Sequence, residues 1–172
     1  SVKTESTASI NITLLNNIKL WSSDTPALYR TQVQIIEVNG FSMKSIYPVI
    51  TTRFGIRHLS FSVASGFQIN GVTTKLRGGC LHHANGPLGS RAFDRSEYRR
   101  VEILKKAGYN AIRTSHNPVS PAFLDACDEI GIYVMDEAFD CWNIGKNPDD
   151  YSVYFADWWQ KDLSTMIRRD RN

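Results

Sequence analysis

From about residue 72 onward the chain repeats one arrangement three times: a short apolar stretch, a loop, and an amphipathic segment. The apolar stretches fall at residues 72–76, 109–112 and 132–135, and the amphipathic segments at about 94–107, 120–130 and 154–169. Strands that alternate with helices over short connections form a parallel sheet, because right-handed crossovers place each strand beside its predecessor. A barrel and an open sheet fit equally well, and three such units cannot by themselves close a barrel of eight.

Local signals mark the ends of the first two helices. They are Asp94 with Glu97 and then Gly108 for the first helix, and Ser120-Pro121 and then Gly131 for the second. An acidic or hydroxyl side chain caps the free N–H groups of a helix start, and glycine adopts the left-handed conformation that ends one. We therefore expect Asp94 and Ser120 to be the N-caps.

The first third of the chain has a different pattern, in which apolar and polar residues alternate. The alternation covers residues 10–14, 29–35 and 47–51, with tight-turn signals at Asn39-Gly40 and Asn70-Gly71. Period two indicates strands of an antiparallel sheet. About four strands are fewer than the roughly seven of an immunoglobulin-like sandwich, so we expect only part of one. The sequence thus predicts a sandwich portion over residues 1–57 and an α/β portion over residues 58–172.

Composition excludes several classes of function. The 20 basic and 17 acidic residues are interspersed, which favours a mixed solvated surface over a nucleic-acid-binding one. No apolar run approaches the roughly 20 residues that cross a bilayer, so we expect no membrane partner. Three cysteines without a C-x-x-C pair suggest neither a disulfide framework nor a zinc site, and they leave the compartment open, with a periplasmic or extracellular one preferred. The start at Ser1, without Met, indicates a segment of a longer protein.

Polar, chemically capable side chains follow each predicted strand of the α/β portion. They occupy residues 77–83, 113–117 and 136–140. Because the carboxyl ends of parallel strands gather on one face, these residues are expected to converge on one ligand. The pattern therefore predicts part of an active site.

Each cluster offers specific chemistry. Of the adjacent His82 and His83, only one is expected to face the site, because neighbouring side chains on extended backbone point to opposite sides. The same alternation is expected to point the side chains of Asp136 and Glu137 to opposite sides of the strand. Arg113 is expected to pair with a carboxylate and to lower its pKa, since an opposite charge favours the ionised form.

Three functional interpretations remain open at this point. In a metal hydrolase, His82, His116 and a carboxylate would be ligands, although histidines two apart would suit a metal better than adjacent ones. In a carbohydrate hydrolase, carboxylates and polar side chains would grip hydroxyl groups, and Trp142 would pack or offer an aromatic platform. A sugar-binding or structural module without catalysis explains the first third of the chain but not the strand-end clusters.

Several runs resemble glycoside hydrolase family 2, and the later ones its β-galactosidase branch. The runs are Leu20-Trp21-Ser22, Pro26-Ala27-Leu28-Tyr29, Phe54-Gly55-Ile56-Arg57, Ile69-Asn70-Gly71, residues 78–89, residues 110–118 and residues 136–142. They occur in the order of the family and together cover about residues 18–172. The resemblance implies a multidomain β plus α/β protein, of which this chain holds part of an immunoglobulin-like sandwich and the first three βα units of a (β/α)₈ TIM barrel.

The implied activity is the hydrolysis of terminal β-D-galactosides with retention of configuration, which uses two carboxylates about 5–5.5 Å apart. In the family both are glutamates at the ends of barrel strands four and seven, beyond Asn172. We therefore expect no catalytic residue in this chain and no glycosidase activity from it alone. β-Glucuronidase and β-mannosidase activities share the scaffold and stay as alternatives, because specificity rests on contacts to particular hydroxyls or a carboxylate.

The resemblance also assigns site residues. His82, Arg113 and His116 match positions that line the pocket around the terminal sugar, and Asp140 and Trp142 match substrate-side positions after strand three. Asn117, Asp136 and Glu137 are expected to support them, and Ala84 stands where close relatives have an acidic residue. Some relatives bind Mg²⁺ through a Glu and a His near Asp140, but this chain reads Asp140-Cys141-Trp142-Asn143 there, so we expect no metal or other cofactor. The exposed edges of an incomplete sheet predict self-association.

Overall fold

A computed structural model describes residues 9–14 and 16–171 of the chain. Over these residues it contains ten strands and three α-helices. The strands are β1 (Leu28–Val33), β2 (Ile36–Asn39), β3 (Ser42–Ser45), β4 (Ile50–Gly55), β5 (Leu59–Ser62), β6 (Gly66–Ile69), β7 (Val72–Thr73), β8 (Gly78–His82), β9 (Ala111–Ser115) and β10 (Tyr133–Met135). The helices are α1 (Asp94–Lys106), α2 (Pro121–Ile130) and α3 (Ser152–Asp170).

The first part of the chain is antiparallel β structure. β1 pairs with β4, β2 with β3, and β6 lies between β5 and β7. Both predicted tight turns form, with positive φ at Gly40 and at Asn70 and Gly71. The strand predicted over residues 10–14 is wrong: these residues are exposed and form no strand, so their alternation has no sheet to support it.

The second part contains the expected parallel sheet. Its strand order is β10-β9-β8, with Gly78 level with Ala111 and Tyr133 level with the same residue on the other side. α1 connects β8 to β9 and α2 connects β9 to β10. This geometry brings the carboxyl ends of all three strands to one edge.

The strand boundaries differ from those predicted. Residues 72–76 do not form the first parallel strand, which is Gly78–His82 instead, and the second strand lies at Ala111–Ser115 rather than at 109–112. Gly78-Gly79 carries little strand propensity, so local pattern did not indicate a strand there. The position needs glycine nonetheless, because a Cβ on Gly78 would lie 2.0 Å from the carbonyl oxygen of Ala111.

The helix signals are confirmed for α2 but not for α1. Ser120 caps α2, since its side chain accepts from the N–H of Phe123 at 3.2 Å, and Gly131 ends the helix in the left-handed conformation. In α1 the N-cap is Phe93, and Asp94 is already the first helical residue. The capping arrangement predicted for Asp94 and Glu97 is therefore wrong, and Glu97 is free to make other contacts.

A compact core lies between the parallel sheet and α1 and α2. Its fully buried members include Val101 on α1, Phe123 and Ala126 on α2, and Ile112 and Ile132 from the sheet side. Burial of side chains of this size supplies about 1.5–3 kcal/mol each. The core thus fixes two helices and three strands as one unit beneath the polar strand ends.

A short segment of the β part is anchored to this unit. The indole N–H of Trp21 donates to the carbonyl of Asp128 at 2.8 Å, and Trp21 is 3% exposed. Ser23 donates through Oγ to the carbonyl of Gly131 at 2.7 Å, and Lys105 Nζ donates to the same carbonyl at 2.8 Å. Among the described residues, no helix combines the length and apolarity needed to cross a bilayer.

Candidate functional site

The ends of β9 and β10 bring together one carboxylate and two nitrogen-bearing side chains. Arg113 donates through Nε to Glu137, and Nδ1 of His116 lies 2.9 Å from Oε2 of the same carboxylate. Nη2 of Arg113 also lies 3.3 Å from Nδ1 of His116. The peptide bond between Ser115 and His116 is cis. Glu137 is thus the point on which Arg113 and His116 converge.

β8 contributes two further side chains to this cluster. The ring of His82 lies edge-on against that of His116, with 5.3 Å between centroids. Sγ of Cys80 accepts from Nη1 of Arg113 at 3.2 Å. The expectation that strand-end residues from different βα units meet is confirmed for His82, Arg113, His116 and Glu137, which we call the strand-end cluster.

The electrostatics of the cluster favour the ionised form of Glu137. Desolvation raises the pKa of Glu137, but the hydrogen bonds from His116 and Arg113 outweigh it and leave the pKa below its ordinary value. Hydrogen bonds to Cys80 and Glu137 raise the pKa of Arg113 further. The cluster therefore presents a matched charge pair, with the carboxyl group of Glu137 held towards its ionised form.

Asp136 lies on the opposite side of the strand, as the alternation predicts. Its Oδ1 accepts from Thr114 Oγ1 at 3.1 Å, and its buried Oδ2 has no hydrogen-bond partner among the described residues. Burial and then the neighbouring Asp170 raise the pKa of Asp136 to about 6. A proton on Asp136 would allow a hydrogen bond between the carboxyl groups of Asp136 and Asp170, on the side away from the strand-end cluster.

The loop after β10 carries the remaining predicted site residues. Trp142 is 67% exposed, and Asp140 Oδ1 accepts from Lys146 Nζ at 2.7 Å, which lowers the pKa of Asp140. Asn117 is exposed beside the cluster. Asp140 is held by the ammonium group of Lys146, and Cys141 is buried next to it.

Three residues lie within the predicted strand-end clusters but were given no role from the sequence. Thr114, fully buried, accepts from the N–H of Glu137 at 3.0 Å and so fixes the backbone on which Glu137 and Asp136 diverge. Cys80 contacts Arg113, and the neighbouring Ser115 and Arg113 lower the pKa of the Cys80 thiol. Their position within β8 and β9 is the signal that would have found them, but the strands were placed too early along the chain.

A wide cleft of about 1320 Å³ runs along the exposed face of the sheet. Cys80 and Arg113 line it together with the stacked rings of Phe61 and Phe67 from the β5–β6 hairpin. Of the strand-end cluster, Arg113 therefore borders this cleft, and Asp136 borders it as well.

Parallel strands with polar side chains at their carboxyl ends are typical of α/β enzyme domains. Comparison with known sequences identifies the family to which this domain belongs. The profile described as glycosyl hydrolases family 2, TIM barrel domain, matches residues 63–166, and the profile described as glycosyl hydrolases family 2 matches residues 1–57. The chain belongs to glycoside hydrolase family 2. It carries parts of the immunoglobulin-like and TIM-barrel domains of that family.

Two curated relatives are similar over most of the chain. The beta-galactosidase BoGH2A of Bacteroides ovatus is 43% identical over 90% of the chain, which covers 18% of that protein. A putative beta-glucuronidase of Formosa agariphila is 44% identical over 90% of the chain, which covers 14% of that protein. The chain thus spans less than a fifth of the length of either relative.

Solved structures give the same picture of the fold. A glycosyl hydrolase family 2 member from Bacteroides cellulosilyticus superposes with a TM-score of 0.82 at 49% identity, over 90% of this chain and 19% of that one. The beta-glucuronidase of Parabacteroides merdae superposes with a TM-score of 0.72 at 30% identity, over 92% of this chain and 18% of that one. The relatives are glycosidases of more than one sugar specificity.

Proposed function

We propose that the strand-end cluster is one wall of the sugar pocket of a retaining glycoside hydrolase that acts on terminal β-D-galactosides. The observation that carries the proposal is the convergence of Arg113 and His116 on Glu137, with His82 against His116, at the carboxyl ends of adjacent parallel strands. Membership of family 2 supports it, since its named relatives are glycosidases. Trp142 and Asp140 extend this wall on the loop after β10, and Asn117 and Asp136 support it.

The cluster is suited to binding and not to proton transfer. Imidazole and guanidinium N–H groups donate to hydroxyl oxygens, and a charged donor makes a stronger hydrogen bond than a neutral one. Glu137 holds Arg113 and His116 in place and stays ionised because its pKa is lowered. A carboxylate held in this way is a poor general acid, which needs a raised pKa.

The raised pKa of Asp136 makes it the competing candidate for an acid. Asp136 lines the same cleft as Arg113, but it faces Thr114 and Asp170, whereas the neighbouring Glu137 faces the cluster. We therefore propose that both catalytic carboxylates of the retaining mechanism lie outside these 172 residues. The isolated polypeptide is then expected to bind weakly and to turn nothing over.

The charge balance favours a neutral sugar over a glucuronide. A pocket for a glucuronide carboxylate needs a cation that is not already neutralised. In the cluster, the charge of Arg113 is matched by Glu137. The similarity to proteins named beta-glucuronidase keeps that activity as the second candidate.

The finer architecture belongs to the same proposal. We assign β8-α1, β9-α2 and β10-α3 to the first three βα units of the eight-unit barrel, and residues 1–57 to the end of the sandwich domain. The parallel register and the short α1 and α2 crossovers support this assignment. The ion pair of Asp140 with Lys146 supports an activity without a metal in this loop.

The test compares two proteins and two substrates. A full-length protein that contains this chain is expected to hydrolyse nitrophenyl β-D-galactoside faster than nitrophenyl β-D-glucuronide, with retention visible by NMR of the first product. The purified 172-residue polypeptide is expected to hydrolyse neither. Preference for the glucuronide would replace the galactosidase proposal, and turnover by the polypeptide alone would place a catalytic carboxylate within it.

A further inference from the structure

Glu97 on α1 is a buried carboxylate that the sugar-pocket proposal does not use. It is 3% exposed, although glutamate is almost never fully buried unless it is paired. Its partner is Arg100 one turn later, with Nη1 at 3.3 Å from Oε1 and 3.4 Å from Oε2. The side chains of Glu97 and Arg100 are only 4% and 14% exposed, so solvent screens this pair little.

Arg100 connects the pair to the end of β8. Its Nη2 donates to the carbonyl oxygen of His82 at 2.5 Å. His82 is the residue whose ring lies against His116 in the strand-end cluster. One guanidinium group therefore links a buried charge on α1 to the backbone of a cluster residue.

Asn85 makes a second connection between the same carboxylate and the loop after β8. Its Nδ2 donates to Glu97 Oε1 at 2.9 Å and to the carbonyl of Arg91 at 3.0 Å. The backbone N–H of Asn85 donates to the carbonyl of Gly89 at 2.7 Å, which closes the loop. The loop is thus tied to Glu97 at its middle and, through Arg100, at its start.

The fold of α1 does not require this pair. Val101, fully buried, and the partly buried Tyr98 and Leu104 already hold α1 on the core. Replacement of a buried ion pair by apolar residues of similar size is often neutral or stabilising, so burial of charge is poor evidence for a stabilising role. The pair instead orients the loop after β8, since it holds that loop at two points.

We propose that Glu97 and Arg100 form a positioning pair that sets the orientation of His82 towards the bound sugar. The inference rests on the proposed function, because it takes His82 to be a sugar-binding residue. Neither residue touches the substrate. Loss of the pair is expected to weaken sugar binding through His82 and to leave the core intact.

A mutant cycle in a full-length protein that contains this chain separates positioning from general stability. The variant Glu97→Leu/Arg100→Met removes both charges together, which avoids an unpaired buried ion. It is expected to raise KM for nitrophenyl β-D-galactoside about tenfold, the effect of one charge-assisted hydrogen bond. In a His82→Ala background the same change is expected to add no further rise. Multiplicative effects of the two changes would overturn the proposal.

The same helix offers a matched control. Arg95 and Glu102 form an exposed ion pair, with Nη1 2.8 Å from Oε1, that does not contact the loop after β8. Arg95→Met/Glu102→Leu is expected to leave KM unchanged. An equal rise in KM from this control would also overturn the proposal, because it would show a general effect of charge on α1.

Hydrogen exchange tests the positioning without any substrate. In the Glu97→Leu/Arg100→Met variant, amides of residues 82–91 are expected to exchange about tenfold faster, while those of α2 keep their rates. Unchanged exchange in the loop would overturn the proposal. If His82→Ala leaves KM unchanged for every β-glycoside tried, the sugar-pocket assignment fails, and the exchange result still decides whether the pair fixes the loop.

Discussion

Glu137 and Asp136 are neighbours in sequence and opposites in chemistry. Glu137 receives hydrogen bonds from Arg113 and His116 and is held ionised, whereas Asp136 is buried against Asp170 and is held towards its neutral form. The alternation of side chains along extended backbone produces this difference, because it turns one carboxylate to the cluster and the other away. Two acidic residues adjacent in sequence therefore have pKa values shifted in opposite directions.

Removal of the charge on Glu137 is expected to loosen the strand-end cluster. Glu137→Gln leaves a side chain of the same shape, but Arg113 loses its anionic partner, and the proposed sugar-binding groups lose their fixed orientation. We expect kcat/KM of the full-length protein for a β-galactoside to fall roughly tenfold to a hundredfold, since small displacements of positioning groups have effects of this size. Glu102→Gln, on the exposed side of α1, is the control. A Glu137→Gln enzyme with unchanged kinetics would show that Arg113 and His116 are positioned by other contacts.

Asp136 gives a prediction about pH. Its folded pKa of about 6 lies above the ordinary value of 3.8, so its contribution to stability is present below pH 4 and is lost as pH rises through 6. Asp136→Asn copies the protonated form, with an amide that can donate to Asp170. The free energy of unfolding of the variant, relative to that of the parent, is expected to rise by about 1 kcal/mol from pH 4 to pH 7.5. This value allows for solvent screening of the half-buried group. Thermal unfolding at the two pH values measures the gain, and a constant difference between variant and parent would contradict the raised pKa.

Among the helices and strands, local sequence signals predicted those boundaries that local contacts determine. Ser120, Pro121 and Gly131 define α2 by themselves, and the structure confirms all three. Asp94 failed as a cap because the backbone of Phe93 is extended and takes that position, a consequence of the loop before it. The start of β8 at Gly78 could not be read from propensity, because its cause is a close approach to Ala111 on a neighbouring strand.

Gly131 illustrates an element end whose role is tertiary as well as local. Both Gly108 and Gly131 end helices with φ near +87° and +86°, but only at Gly131 would a Cβ meet another segment, 2.3 Å from the carbonyl oxygen of Ser23. Gly108→Ala is expected to cost about 1–2 kcal/mol of stability from the left-handed backbone alone. Gly131→Ala is expected to cost that amount and a further 1–3 kcal/mol, because it displaces residues 21–23 from α2. Equal losses in thermal unfolding of the two variants would show that the contact with Ser23 yields without cost.

At the scale of the whole molecule, the described structure is open. Its accessible surface is 13119 Å², whereas a compact monomer of 19.5 kDa is expected to expose about 8,500 Å². Large apolar side chains such as Phe41, Phe61 and Trp142 are exposed. The sequence indicated this openness through its partial sandwich and its three βα units, and it predicted that the polar strand ends converge, but not which side chains of the three strands contact each other. Those contacts depend on the register between strands, and β8 and β9 begin later in the chain than the local pattern indicates.

The open sheet leads to a prediction about the 172-residue polypeptide when it is produced alone. Among the described residues β8 and β10 are the outer strands of the parallel sheet, and outer strands present unpaired N–H and C=O groups that pair with other chains. Sedimentation velocity is expected to show association that increases with concentration. Met135→Lys places a charge on β10, where Met135 is 56% exposed, and is expected to reduce association, whereas Met43→Lys on β3, at 75% exposure, is expected to leave it unchanged. A monodisperse monomer, or equal effects of the two lysines, would show that the edges of the parallel sheet are not the contact.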